Sequence, residues 1–475
     1  MRLTRRAALL GAAAAMLPAA AVPALPAYAG GGRGASIQID PTFPYYLERS
    51  ADSIADELLA NGYRTVHYFV VNELDVKTEL VKALRRRGIT VWAMVVGLGS
   101  YSVASWPQGW ESWQMELLKP IDLGGFHFFS PFSADYVAFK SGMIARMLAA
   151  TPFDGIEVAE PYFPDWEGID KGYYGDVGPL AREAFQREHG TAIPDFADPA
   201  SPAYYRTDTA RYERWIQFRV DAVNRCVAEI ARAARAARPD IKVATWSLAV
   251  DGGPDSVARE REFQGLDAAA MVALVKPDVH ILQTNWPDWV KPDLPADYIR
   301  AYQPFVEQIR AGSPRVPIGV QTDIGSQRAM ARDDAWIERF TQTVERMGLA
   351  TWMAYEYHLG AYIYENPPIP KSAFIPNSGA IELSFQKRID PDSARRPESF
   401  ELITETSRRF VPPEAVTVDG NRVTLLTRPP SGRLRVAVRN VTDAPKYRLY
   451  DKTAPANPVP PGAVVDVSRR RPEGA

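Results

Sequence analysis

Eight short β-rich runs, most of them followed by a helix-like stretch, constrain this chain more than any other feature. They are SIQID (36–40), TVHYFVV (65–71), TVWAMVV (90–96), GIEVA (155–159), KVATWSL (242–248), DVHILQT (278–284), PIGVQT (317–322) and ATWMAYEY (350–357). Between most of them lie amphipathic stretches such as DVKTELVKALRRRG, ADYVAFKSGMIARMLAAT and DDAWIERFTQTVERMG. Alternation of this kind favours a parallel sheet covered by helices. Eight units predict an α/β fold, a closed (β/α)8 TIM barrel, with an open doubly wound sheet as the other arrangement the pattern allows. No Gly-x-Gly-x-x-Gly or Walker sequence follows any run, which weakens a nucleotide-binding open sheet.

The barrel is expected over residues 35–370. Residues 371–413 read as a connecting segment. From 414 to 470, AVTVDGNRVTLLT and GRLRVAVRNVTD alternate with period two, and the first holds an Asp-Gly turn, so a small C-terminal β module is expected there. Residues 1–29 read as a leader rather than as part of the fold. Thr4-Arg5-Arg6 precedes an Ala/Leu-rich stretch that ends in Ala27-Tyr28-Ala29, the pattern of a cleaved twin-arginine signal peptide. Pro18, Pro23 and Pro26 interrupt the apolar run, which argues against a permanent membrane anchor. A secreted or periplasmic location follows, with no membrane contact after the leader is removed.

A net charge of −2 argues against nucleic acid as the main partner. The single cysteine, Cys226, lies in the long helical stretch RYERWIQFRVDAVNRCVAEIARAARAAR, so no internal disulfide forms and a packing role is expected. The five histidines form no His-x-His or His-Glu-x-x-His pattern, and there is no Gly-x-Ser-x-Gly elbow. No metal and no cofactor is therefore expected, and carboxylates remain as the abundant acid/base groups.

Barrels collect chemistry where strands end. Period-two polar residues crowd those ends: Gln38 and Asp40, Glu157, Thr245 and Ser247, Gln283 and Asn285, Gln321 and Asp323. Buried polar groups are costly unless paired, so this ring reads either as a polar pocket or as a network closing the barrel. The following loops are rich in aromatics, among them Phe43, Tyr45, Tyr46, Tyr162, Phe163, Trp166, Trp286, Trp289, Tyr355, Tyr357 and Tyr362. Aromatic faces beside Asp, Asn, Gln and Glu suit the apolar face and hydroxyl rim of a sugar. A carbohydrate substrate is expected, cleaved by paired carboxylates as in glycoside hydrolysis. Glu160 closes an apolar strand, precedes Pro161 and has aromatic neighbours in sequence; it is the expected general acid. Glu356 and Asp323 compete as the second carboxylate. Glu356 is favoured slightly because an unpaired acid in MAYEYHLG would be expensive. The expected substrate-binding residues are Asp40, Tyr45, Glu157, Tyr162, Trp166, Trp246, Gln283, Asn285, Trp286, Gln321 and Tyr355. Of these, Glu157 lies deeper in its strand and also suits a structural role, and Asp40 also suits a partner base.

The EPYFPDW that follows the fourth run resembles the fourth-strand end of clan A glycoside hydrolases, where Asn-Glu-Pro carries the acid/base. Three longer segments resemble a group of bacterial glycosyl-hydrolase-like barrels. They are FFSPFSADYVAFKSGMIARMLAATPFDGIEVAEPYFPDW, AREAFQREHGTAIPDF and RWIQFRVDAVNRCVAEIARAARAARPDIKVA. The likeness covers about residues 36 to 370. It implies a secreted glycoside hydrolase with Glu160 as acid/base. Ala159 stands where the clan carries Asn. The clan's nucleophile lies on the seventh strand, where this chain offers Asp323; Glu356 belongs to the eighth. A non-catalytic carbohydrate-binding barrel and a cell-wall-associated protein are the other functions this pattern admits.

Overall fold

The computed structural model describes residues 36–120, 124–164, 168–376 and 378–469. The leader call, residues 1–29, lies outside them. The eight expected runs form eight strands: β1 Ser36–Ile39, β2 Thr65–Val70, β3 Thr90–Val96, β4 Gly155–Ala159, β5 Lys242–Ala249, β6 Val279–Thr284, β7 Ile318–Asp323 and β8 Thr351–Tyr355. All neighbours are parallel, each strand pairs with the next in sequence, and β8 closes on β1 through Ser36↔Met353. The fold is the expected (β/α)8 barrel.

Each of the first seven strands is joined to the next through a helix that leads into it: α1 Ala51–Ala60, α2 Thr78–Arg86, α3 Ala134–Ala150, α4 Thr209–Ala237, α5 Ala268–Val275, α6 Gln303–Gly312 and α7 Asp334–Arg346, with further helices at Pro179–His189 before α4 and Ser256–Gln264 before α5. Their starts are written in the sequence. Ser50, Ser133, Asp208, Asp267 and Asp333 each accept a backbone N–H of the first turn through the side chain, satisfying a donor the helix cannot. Trp336, Ile337, Phe340 and Val344 of α7 recur at helical spacing and are buried. Cys226 packs in the same outer layer, buried, with its thiol pushed up to about 12 by burial.

Inside the cylinder, Phe69, Trp92, Met94, Ala244, Trp246, Ile281 and Met353 form a separate core. Gly155 makes room for it: a Cβ there would meet the Trp92 ring at 2.2 Å. The fifth strand departs from expectation. Trp246 is the residue that points inward, so Thr245 and Ser247 face the helices. Their hydroxyls hold His280 from two sides, at 2.8 and 2.9 Å, and burial lowers that imidazole to about 3. A strand buried on both faces gives no amphipathic signal to fix its parity.

The C-terminal sheet begins earlier than expected. Its eight strands are β9 Pro370–Phe374, β10 Ile381–Phe385, β11 Phe400–Ile403, β12 Arg408–Phe410, β13 Val416–Asp419, β14 Arg422–Leu425, β15 Arg435–Val438 and β16 Val464–Ser468, in the order β12-β11-β15-β16-β9-β10-β14-β13. Residues 371–413, expected to connect, therefore supply four of its strands. The prolines of that segment masked the short β runs between them. The pairing of β9 with β16 is parallel, so the first and last strands of the module lie side by side at its centre.

Candidate active site

A cavity of about 480 Å³ opens where the barrel strands end. Its floor and walls come from strand ends. Gln38 lies on β1 and Asp40 just after it, Phe69 on β2 and Val71 just after it, and Met94 on β3. Ala159 and Glu160 close β4, with Trp246 on β5, Gln283 and Thr284 on β6, Gln321 and Asp323 on β7, and Tyr355 on β8. Loop residues Thr42, Phe43, Tyr101, Trp289 and Ser326 complete it.

Among the described residues, three carboxylates face this cavity, each in a different setting. Among the described residues, the Glu160 side chain has one hydrogen bond, a long one from Gln283 Nε2 at 3.3 Å. Burial pushes its carboxyl above the ordinary carboxylate range, and only that bond opposes the shift. Asp323 is also raised by burial, but more acts against it. Its Oδ1 accepts the Gly325 and Ser326 backbone N–H groups at 2.8 Å each, its Oδ2 accepts the Ser326 hydroxyl, and the Arg332 guanidinium adds its charge. Asp40 is raised by burial as well, opposed chiefly by Thr42, whose N–H and hydroxyl bind Oδ1 at 2.9 and 2.6 Å.

Glu356 does not join them. It is fully buried behind the cavity wall and does not line it. Its oxygens accept the Asp40 N–H at 2.8 Å, the Tyr46 hydroxyl at 2.9 Å, and the His358 N–H at 2.8 Å and Nδ1. The expense of an unpaired acid, which favoured Glu356 from sequence, is met by these partners, so Glu356 works as a brace for Asp40. Glu157 is likewise below the cavity. It accepts the Trp246 indole N–H at 3.0 Å and pairs with His67 Nδ1, whose other nitrogen meets Ser36 Oγ at 2.8 Å. That chain fixes the indole that forms the cavity floor, the structural alternative considered for Glu157.

No protein-family model and no curated protein matches the chain. Solved structures do. The PgaB (BpsB) glycoside hydrolase domain from Bordetella bronchiseptica aligns at a TM-score of 0.52 and 16% identity, over 67% of this chain and 93% of that one. A β-galactosidase from the psychrophilic Marinomonas ef1 aligns at 0.46 and 10% identity, over 68% and 54%. The PelA glycoside hydrolase domain from Pseudomonas aeruginosa aligns at 0.37 and 12% identity, over 67% and 93%. In fold, the chain is similar to TIM-barrel glycoside hydrolases. The first alignment carries that statement, and its identity limits it to the fold.

Within this glycoside hydrolase fold, the expected site residues divide. Asp40, Glu160, Trp246, Gln283, Gln321, Asp323 and Tyr355 line the cavity together. Tyr45, Tyr162, Asn285 and Trp286 are not among its lining. The Tyr45 hydroxyl is spent on Glu57 at 2.5 Å, and Tyr162 is buried beside Phe128, 6.5 Å between centroids. Asn285 caps the turn that follows β6 through the Trp286 N–H and donates to Glu260 and Gln264. Trp166 lies outside the described residues.

The Trp-x-x-Phe-Arg motif of α4 anchors the loop behind Glu160. Arg219, fully buried, donates to the carbonyls of Gly175, Glu262 and Phe263 at 2.5–2.6 Å and lies over the Phe163 ring at 4.5 Å. Sequence reasoning missed Phe69, Met94 and Ser326, whose only signal is position on a strand or three residues beyond an acid. It also missed Tyr101, which belongs to an excursion no pattern announces.

Among the described residues, no group of three or more His, Cys, Asp or Glu is placed to hold a metal ion, and no helix is long and apolar enough to cross a membrane.

Proposed function

We propose that this protein is an exported glycoside hydrolase that cleaves a polysaccharide or glycoconjugate, with Glu160 as proton donor and Asp323 as the second carboxylate. The observation that carries the reading is the unequal setting of two acids on one cavity. A glycosidase needs one carboxyl protonated to release the leaving oxygen and one ionised to attack the anomeric carbon or activate water. Burial raises both here, and the donors that oppose the rise are few at Glu160 and several at Asp323, which favours this division of roles. Glu160, half-buried with one long hydrogen bond among the described residues, suits the donor. Asp323, held by three donors and faced by Arg332, suits the anion. Asp40 keeps Oδ1 on Thr42 and offers its other oxygen to a sugar hydroxyl.

The lining also narrows the substrate. Three carboxylates and no Lys, Arg or His line the cavity among the described residues. A uronate or sulfated sugar would bring a like charge into a half-enclosed space. A neutral or amine-bearing sugar meets the part-exposed rings of Phe43 and Trp289 with its apolar face and the Gln and Asp side chains with its rim.

The test is a glycan panel treated with the mature protein and its Glu160→Gln variant. Hydrolysis by the wild type, with binding but no turnover in the variant, is expected. Full turnover in the variant rejects the assignment of Glu160. Binding without hydrolysis by the wild type favours a carbohydrate-binding barrel instead.

A further inference from the structure

Between β3 and α3 the chain does not make a short connection. Residues 97–120 and 124–133 lie outside the barrel strands, and Gly99–Ser100 pairs antiparallel with His127–Phe128 in a two-stranded ribbon at the cavity mouth. The ribbon is built around aromatic packing. A Cβ at residue 99 would meet the Phe126 ring at 2.2 Å, so glycine there lets the ring lie flat across the ribbon. Phe126 in turn meets Tyr101 edge-on, 4.5 Å between centroids, and Phe69 of β2 meets Tyr101 from the barrel side at 5.7 Å. Two rings thus fix the Tyr101 ring, yet Tyr101 is 52% exposed, whereas Phe69 and Trp246 of the same lining are 9% and 1% exposed. Its hydroxyl also stands close enough to Glu160 and Asp40 to feel both charges.

An aromatic ring held rigid and left half in water at the lip of the cavity is a surface on which a sugar ring can lie. We infer that Tyr101 is the platform for a second sugar ring, next to the one seated in the cavity, on the far side of the bond beside Glu160. This rests on the glycosidase reading and adds that the substrate spans at least two rings across the lip. The ligand class is a neutral or amine-bearing oligosaccharide that presents a C–H face to the phenol ring. Rigid support matters because the platform then loses little freedom when the sugar lands.

The experiment measures equilibrium binding to the Glu160→Gln protein, alone and with Tyr101→Ala or Tyr101→Trp added. The probes are three ladders of one to six residues: cello-oligosaccharides, chito-oligosaccharides and their fully N-deacetylated forms. Expected is a step up in affinity from one ring to two on at least one ladder. Tyr101→Ala should remove that step, a loss of about three- to tenfold, and leave the one-ring affinity unchanged. Tyr101→Trp should restore the step. The inference is overturned if Tyr101→Ala leaves the ladder unaltered, or weakens every length equally; the glycosidase reading survives either result. If no ladder binds and the wild type hydrolyses nothing in the glycan panel, the glycosidase reading falls and this inference with it. The ring is half exposed, so Tyr101→Ala should fold, and unchanged thermal melting checks this.

Discussion

Glu160 carries its carboxyl on a left-handed backbone, at φ 49. A side chain there costs on the order of 1 kcal/mol or more and persists only where neighbours enforce it. Here Gly97 N–H holds the Ala159 carbonyl at 2.6 Å just before it, and Pro161 follows. Because burial raises the Glu160 carboxyl, the folded state takes up its proton at a higher pH than the unfolded chain does. Two outcomes follow. Turnover should fall as pH rises through that raised value, and a pH–rate profile measures it. The folded protein also binds more protons in that window, so this group's contribution to stability is complete at low pH and is lost as pH rises. Glu160→Gln should therefore melt no lower than wild type near neutrality, and its advantage should shrink toward about pH 4; scanning calorimetry at both values checks the sign. Glu356 is the opposite case. Glu356→Ala would leave the Asp40 N–H, the Tyr46 hydroxyl and His358 without their partner in a dry interior. The expected loss is roughly 3 kcal/mol or more, read by urea denaturation. Asp323→Asn should instead remove turnover with little change in stability.

The strands were legible because their signal is local. An apolar run of five to eight residues does not depend on distant partners. Faces and ends were harder. On β5 both sides are buried, so nothing in KVATWSL says whether Trp246 or its neighbours point inward. At β8, Glu356 follows the last strand residue, Tyr355, and one step decides between the cavity and the wall behind it. The site residues that were legible, Asp40, Glu160, Gln283, Gln321 and Asp323, are polar groups interrupting apolar runs at their last turn of pleat. Tyr101 was not, because the ribbon that presents it is only two residues per strand. The barrel interior offers a direct check on strand packing. Gly155→Ala places a methyl against the Trp92 ring, with no flexible end to yield. Destabilisation of about 1–3 kcal/mol is expected, measured by chemical denaturation.

Across the whole molecule, the C-terminal sheet grips the loops of the site from behind. Arg388 donates to the carbonyls of Tyr45 and Leu47 at 2.7 Å each, and its guanidinium lies 3.2 Å from the Tyr447 ring centroid. That turn follows Asp40 and Phe43. On the other side, the Tyr450 hydroxyl donates to the Ser326 carbonyl, and Asp451 pairs with Arg328 at 2.8 Å. Ser326 is the residue that holds Asp323. A drift of about 1 Å in a catalytic group costs up to roughly a hundredfold in rate. Arg388→Ala should therefore lower turnover by about ten- to a hundredfold while far-ultraviolet circular dichroism stays as in wild type; steady-state kinetics and the spectrum decide together. The sheet is thus no passenger that could be traded for another domain. A lineage that shed it would inherit the cylinder with a slack mouth, and the two halves are bound to change in step.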